Sequence, residues 1–84
     1  MDEREIQQRI VKVICQVLNL PPEKVTRRSN FIFDLGVEST ESIALMTGFE
    51  REFGIEMEHE DALQVQTVSE AVDFIRKYLQ RQVS

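Results

Sequence analysis

The sequence predicts an all-α chain: a small four-helix bundle of three longer helices and one short one, with a long first loop. Three observations predict it. Apolar residues recur at helical spacing in three separate stretches, one near each terminus and one in the middle. Pro21-Pro22 and Gly54 fall between those stretches, where helices are expected to stop. The one stretch with period-two alternation has no second such stretch to pair with, so a strand there would leave its backbone groups unsatisfied. A chain of 84 residues allows one domain, 1–84, with a modest core.

In the first stretch Ile6, Ile10, Val13, Ile14 and Val17 share a face, with Arg4, Gln8, Arg9, Lys12 and Gln16 mostly on others. Leu20-Pro21-Pro22 ends this helix, because a residue before proline is pushed out of the α region. Pro22-Glu23-Lys24-Val25 suits a single helical turn with proline near its start. Phe31, Phe33, Leu35 and Val37 then alternate with other residues; without a partner strand they are expected to form an extended loop pinned to the core by Phe31 and Phe33. The connection 19–38 is long for a compact domain, and such loops tend to be functional.

The second helix is expected over Ser39–Phe53, closed by Gly54 at a C′ position. At 100° per residue, Ser42, Leu45, Met46, Phe49 and Phe53 share its core face. The opposite face collects Thr40, Ile43, Ala44, Thr47 and Arg51, with Glu41 and Glu52 flanking on one side and Glu50 on the other. Glu58-His59-Glu60-Asp61-Ala62-Leu63 has length for only a short third helix, and His59, flanked by acids, is expected at the surface without a ligand role. Thr67-Val68-Ser69-Glu70 has capping-box spacing and opens the fourth helix, whose stripe is Val68, Ala71, Val72, Ile75, Tyr78 and Leu79. Arg76, Lys77 and Arg81 complement the dipole at its end, and the tail after Arg81 is expected to fray.

Composition narrows the function classes. The net charge of −5 argues against nucleic-acid phosphates and anionic lipid as partners. The charge is unevenly placed: between Asp34 and Asp61 nine acids face one base, Arg51, whereas the remainder is slightly basic. The middle of the chain is therefore the side that a basic partner would approach. Cys15, the single cysteine, has no internal disulfide partner, and one Cys with one His makes no zinc site. A reducing, cytoplasmic setting is expected. No apolar run approaches the ~20 residues of a membrane span, and the charged N-terminus does not resemble a secretory signal.

The residue that stands out is Ser39. Gly36 supplies backbone freedom three positions before it, Glu38 precedes it and an amphipathic helical pattern starts immediately after it. First-turn N–H groups have no intrahelical partner and the macrodipole favours negative charge there, so a phosphoester on Ser39 is electrostatically suited. The plainer reading is that a serine ahead of an apolar periodic run is an N-cap. No histidine is placed to activate it as a hydrolase nucleophile, since His59 is the only one.

These parts, in order and spacing, resemble the acyl carrier protein family over nearly the whole chain. The resemblance is carried by Leu18-Asn19-Leu20-Pro21-Pro22-Glu23-Lys24-Val25, by Phe31 through Asp34-Leu35-Gly36, and by Glu50-Arg51-Glu52-Phe53-Gly54-Ile55-Glu56-Met57. It continues through Glu60-Asp61-Ala62 and Thr67-Val68-Ser69-Glu70-Ala71-Val72-Asp73-Phe74-Ile75. The family's central Asp-Ser-Leu reads here Glu38-Ser39-Thr40: the serine is kept and both neighbours differ. Ala44 and Thr47 also stand where typical fatty-acid carriers have an acid and a larger apolar residue, which points to a specialised member.

The resemblance implies that a phosphopantetheinyl transferase moves 4′-phosphopantetheine from coenzyme A onto Ser39, with magnesium held by the transferase. The arm's thiol then holds acyl groups as thioesters for partner enzymes of fatty-acid, lipid or related acyl metabolism. The carrier is implied to be a monomer without catalysis of its own. Partners with basic docking patches are expected on Glu38, Thr40, Glu41, Ile43, Ala44 and Thr47, and the stripes of helices one, two and four are expected to enclose an interior able to shelter an acyl chain. Two other readings stay open: an aminoacyl or peptidyl carrier, and an unmodified helical interaction module in which Ser39 is a plain N-cap.

Overall fold

Stripes of branched aliphatic residues at helical spacing cannot be buried one helix at a time, and in this chain they meet in a bundle. The computed structural model describes residues 1–82, which form α1 (Glu3–Leu18), a single 3-10 turn (Pro22–Lys24), α2 (Ser39–Phe53), α3 (His59–Ala62) and α4 (Val68–Gln82). No strand occurs among the described residues; Asn30 and Thr67 make one isolated antiparallel bridge. The expected fraying after Arg81 concerns chiefly Val83 and Ser84, which lie outside the described residues. The all-α architecture of three long helices and one short one is as the sequence predicts.

α1 is the spine. Its extensive packing is against both α2 and α4. Ile6, Ile10 and Ile14 from α1, with Val68, Val72 and Ile75 from α4, are the largest fully buried side chains. Each such residue stabilises the fold by about 1.5–3 kcal/mol relative to an exposed position. Between α1 and α2 the approach is close at Gly48. A Cβ there would lie 2.7 Å from Val13 Cγ1, so the mid-helix glycine, locally unfavourable in a helix, is what lets the two axes come together.

The helix ends explain the connections. Asp2 caps α1, its carboxylate accepting the Glu5 N–H at 2.9 Å. The helix stops at Asn19, in the left-handed region at φ 56°, where the Asn19 and Leu20 N–H groups both turn back to the Cys15 carbonyl. The stop therefore precedes Pro21 and is made by asparagine's tolerance of that conformation. At the end of α2, Gly54 takes φ 65° as expected. α4 opens with the Glu70 N–H donating to Thr67 Oγ1 at 3.2 Å, and the same hydroxyl donates to the Glu70 carboxylate.

The first loop departs from expectation. Phe31 is buried, but Phe33 is 87% exposed and pins nothing. The segment is also not extended: residues 31–35 are a run of turns organised by Asn30. The Asn30 Oδ1 accepts the Ile32 and Phe33 N–H groups, both at 2.9 Å, and its carbonyl accepts those of Asp34 and Leu35. The Asp34 carboxylate closes the knot on the Asn30 N–H at 2.7 Å. In such a turn alternate residues need not share a face, so the period-two pattern placed Phe33 wrongly. The loop is tied to the far side of the bundle by Phe31 N–H to the Gln66 carbonyl and Val68 N–H to the Ser29 carbonyl.

Candidate functional site

The Asn30 knot hands the chain to α2. Gly36, at φ 66°, turns it back so that the Val37 N–H reaches the Phe31 carbonyl at 2.8 Å, and Val37 is buried. Glu38 follows in extended conformation, and its carbonyl accepts the Ser42 N–H, the first bond of the helix. The N-cap is thus Glu38 and Ser39 is the first helical residue, which corrects the reading of Ser39 as a plain N-cap. The Glu41 carboxylate reaches back to the Glu38 N–H at 3.0 Å, as in a capping box. The Ser39 hydroxyl is consequently not committed to capping.

Ser39 is exposed, as are Glu38 and Thr40. Its own N–H and that of Thr40 are among the first-turn donors with no intrahelical acceptor, and α2 supplies a 15-residue dipole behind them. A phosphoester fits that position. Glu38 and Glu41 oppose it by like charge, an effect that solvent screens at an exposed helix start.

Along α2 the face expected to meet partners is presented as one surface: Thr40, Ile43, Ala44, Thr47 and Arg51 are all exposed, and Ile43 retains 58% of its accessible area. Glu41 is half-buried beside it. The acids framing this strip are not equivalent. Glu52 is turned toward α1, where Lys12 Nζ lies 3.0 Å and Arg9 3.8 Å from its carboxylate, and Glu50 accepts the Met57 N–H at 2.9 Å. Both serve the fold. Among the described residues no cation pairs with Glu38, Glu41, Glu56, Glu58, Glu60 or Asp61, so the unpaired negative charge lies around the start of α2 and in and beside α3. His59 is exposed, as expected.

Behind the strip is an apolar cavity of about 130 Å³, lined by Phe31, Ile32 and Val37 of the loop, by Ser42, Leu45, Met46 and Phe49 of α2, and by residues of α3 and α4. α1 contributes nothing to its walls, against the expectation that the stripe of helix one would line such a space. α1 is already filled by its own packing on α2 and α4. Ser42, one turn from Ser39, reaches the cavity, so the space opens close to the start of α2. Sequence reasoning missed Ile32 and Leu63 as its rim; both are large apolar residues that belong to no stripe, which was the available signal.

Cys15 is half-buried. Burial pushes its thiol pKa up, and nearby Glu23 adds to the shift, as expected for a packing residue and contrary to an activated thiol. Among the described residues no His/Cys/Asp/Glu group is arranged to hold a metal, and no helix is long and apolar enough to cross a membrane.

The exposed serine, its helix start and the adjoining cavity lie within the part of the chain that matches a family model. That model, described as a phosphopantetheine attachment site, covers residues 8–75. The chain is 40% identical over 75 residues to an acyl carrier protein of Phenylobacterium zucineum, covering 89% of this chain and 95% of the relative. It is 42% identical over 71 residues to an acyl carrier protein of Caulobacter vibrioides, covering 84% and 91%. To an acyl carrier protein of Porphyromonas gingivalis it is 33% identical over 75 residues, covering 89% and 96%. A phosphopantetheine-attachment match over most of the chain and relatives matched nearly end to end leave one assignment: this chain belongs to the acyl carrier protein family, whose members carry acyl groups on phosphopantetheine.

Proposed function

We propose that Ser39 is the residue that takes the phosphopantetheine arm, and that this chain holds acyl intermediates there and delivers them to successive enzymes of acyl metabolism. The observation that carries the reading is the Ser39 hydroxyl itself: exposed, first in α2, and released from capping because Glu38 occupies the cap. When bound, the arm supplies a thiol on which acyl groups are held as thioesters. The chain's own residues supply an attachment oxygen, an electropositive helix start and a recognition surface, and catalysis stays with the partners. In this reading the removal of the Ser39 proton is left to the transferase. Tethering raises the local concentration of cargo at each docked enzyme, which is the carrier's contribution to rate.

Glu38, Thr40, Glu41, Ile43, Ala44 and Thr47 form the docking strip in this reading, with Ile43 as its apolar centre and the acids guiding a basic partner. The cavity behind α2 shelters the cargo between visits, each buried methylene contributing about 0.8 kcal/mol. Relatives named acyl carrier protein favour acyl over aminoacyl cargo. The free Cys15 accords with a reducing, cytoplasmic setting and the acidic α2 side with monomeric, protein-directed action.

The test is direct. With coenzyme A, magnesium and a broad-specificity phosphopantetheinyl transferase, intact mass should rise by one arm in the wild type and stay unchanged in Ser39→Ala. A gain retained in Ser39→Ala would move the site elsewhere. Docking is tested separately: Glu41→Lys should weaken binding of an acyl-handling partner most at low salt, and equal affinities across a salt series would remove the acids from the recognition surface.

A further inference from the structure

Phe33 is the most exposed large apolar side chain among the described residues, at 87%, and Ile32 beside it is 65% exposed. Neither is loose. Their N–H groups are both held by Asn30 Oδ1, and the Asp34 carboxylate ties the same residue from the other side. A fixed turn thus presents an aromatic ring to solvent, an arrangement that contributes nothing to the core and that binding would reward, because the backbone carrying it is already ordered. Its place in the molecule is specific. Ile32 lines the cavity together with Val37 and Ser42, so the turn stands beside the first turn of α2, and among the described residues no cation pairs with Asp34 or Glu38, which follow it in the chain.

We propose that the Ile32–Phe33 turn is a second docking point, used by the phosphopantetheinyl transferase, with Phe33 entering an apolar recess on that enzyme. The proposal rests on the carrier reading of Ser39. Charge selects the occupant: an enzyme that binds coenzyme A must surround that polyanion with cationic groups, and a cationic rim brought to Ser39 meets Glu38 and Glu41 at the start of α2 and Asp34, which directly follows Phe33 in the chain. The strip on α2 orients the carrier along the helix, and the Phe33 anchor fixes rotation about it, so that the Ser39 hydroxyl faces the donor phosphate.

The experiment measures initial rates of arm attachment with purified transferase, coenzyme A and magnesium across carrier concentrations, for the wild type, Phe33→Ser and Phe33→Leu. Phe33→Ser should lower kcat/KM about tenfold, mainly through KM, with thermal midpoint unchanged, and Phe33→Leu should recover most of the loss. Rates for Phe33→Ser within twofold of wild type would overturn the anchor and leave the attachment site standing. A wild type that is never modified would overturn the carrier reading and the anchor with it. A wild type that sediments as a dimer, with Phe33→Ser a monomer modified at the same rate, would assign the turn to a second copy of this chain and overturn the proposal.

Discussion

Ile14 and Leu63 are similar in size and apolarity, yet one is fully buried in the spine helix and the other is 69% exposed at the cavity rim. The contrast extends to whole regions. Where α1 meets α2 and α4, apolar side chains are enclosed, acids have cations, and a glycine is placed for close approach. Around the start of α2 and α3, apolar residues are left in water, the acids have no cationic partner among the described residues and a cavity remains open. Packing in the first region supplies the stability that lets the second leave apolar surface exposed.

The sharpest way to break this division is to truncate one residue from each side. Ile14→Ala should destabilise by about 2–5 kcal/mol, a fall in Tm large enough to approach unfolding in a domain of this size. Leu63→Ser should change stability by less than about 0.5 kcal/mol. Comparable losses in urea titrations would mean that the rim is part of the core after all. Next in size is Gly48→Ala, which gains helix propensity but sets a methyl against the stiff, buried Val13. A net loss of about 1–3 kcal/mol is expected, and a stabilised variant would show that the two helices can separate at little cost.

Smaller effects sharpen the comparison. Cys15, on the packed side, should react with iodoacetamide at pH 8 several-fold more slowly than a free cysteine, and addition of urea should abolish the difference. An equally fast reaction would show that its burial does not hold in solution. The smallest effect concerns Glu3, whose pKa is lowered by the hydrogen bond from Arg27 and then by the charges of Arg27 and Arg76. A lowered carboxylate stabilises above its unfolded pKa and loses that contribution as pH falls through its folded value. The Tm difference between wild type and Glu3→Gln should therefore be small and positive near pH 6 and vanish toward pH 3. A difference that grew on acidification would reverse the assignment.

How much of this was legible in the sequence follows the same division. α1, α2 and α4 were readable because a stripe such as Ile6, Ile10, Val13 and Ile14 encodes both the helix and the face it buries. Gly54 marked its helix end for the same reason: one residue's conformational freedom was sufficient evidence. Phe33 was misplaced because nothing in its own neighbours says that Asn30 gathers two N–H groups; the Asn30 to Asp34 spacing was the overlooked turn signal. The cap at Glu38 was obscured because serine is the commoner capping residue, although Glu38 and Glu41 have capping-box spacing. Gly48 carried a readable hint, a glycine inside a helical pattern, but its neighbour across the interface is a tertiary fact. The expectation at Ser39 rests on local pattern, whereas the cavity behind α2 needs the first loop and three helices to be assembled.

The ends of the segment carrying α3 are each secured. The Met57 and Glu58 N–H groups are held by Glu50 and by the Tyr78 hydroxyl, and at the other end the Gln66 carbonyl is held by Phe31. Mechanically this is a beam clamped at both supports, which bows at mid-span and hardly moves at its anchors. Ala62 and Leu63 stand near that middle and face the cavity. Displacement of this wall is therefore expected to be largest at Ala62 and Leu63 and smallest at its two supports.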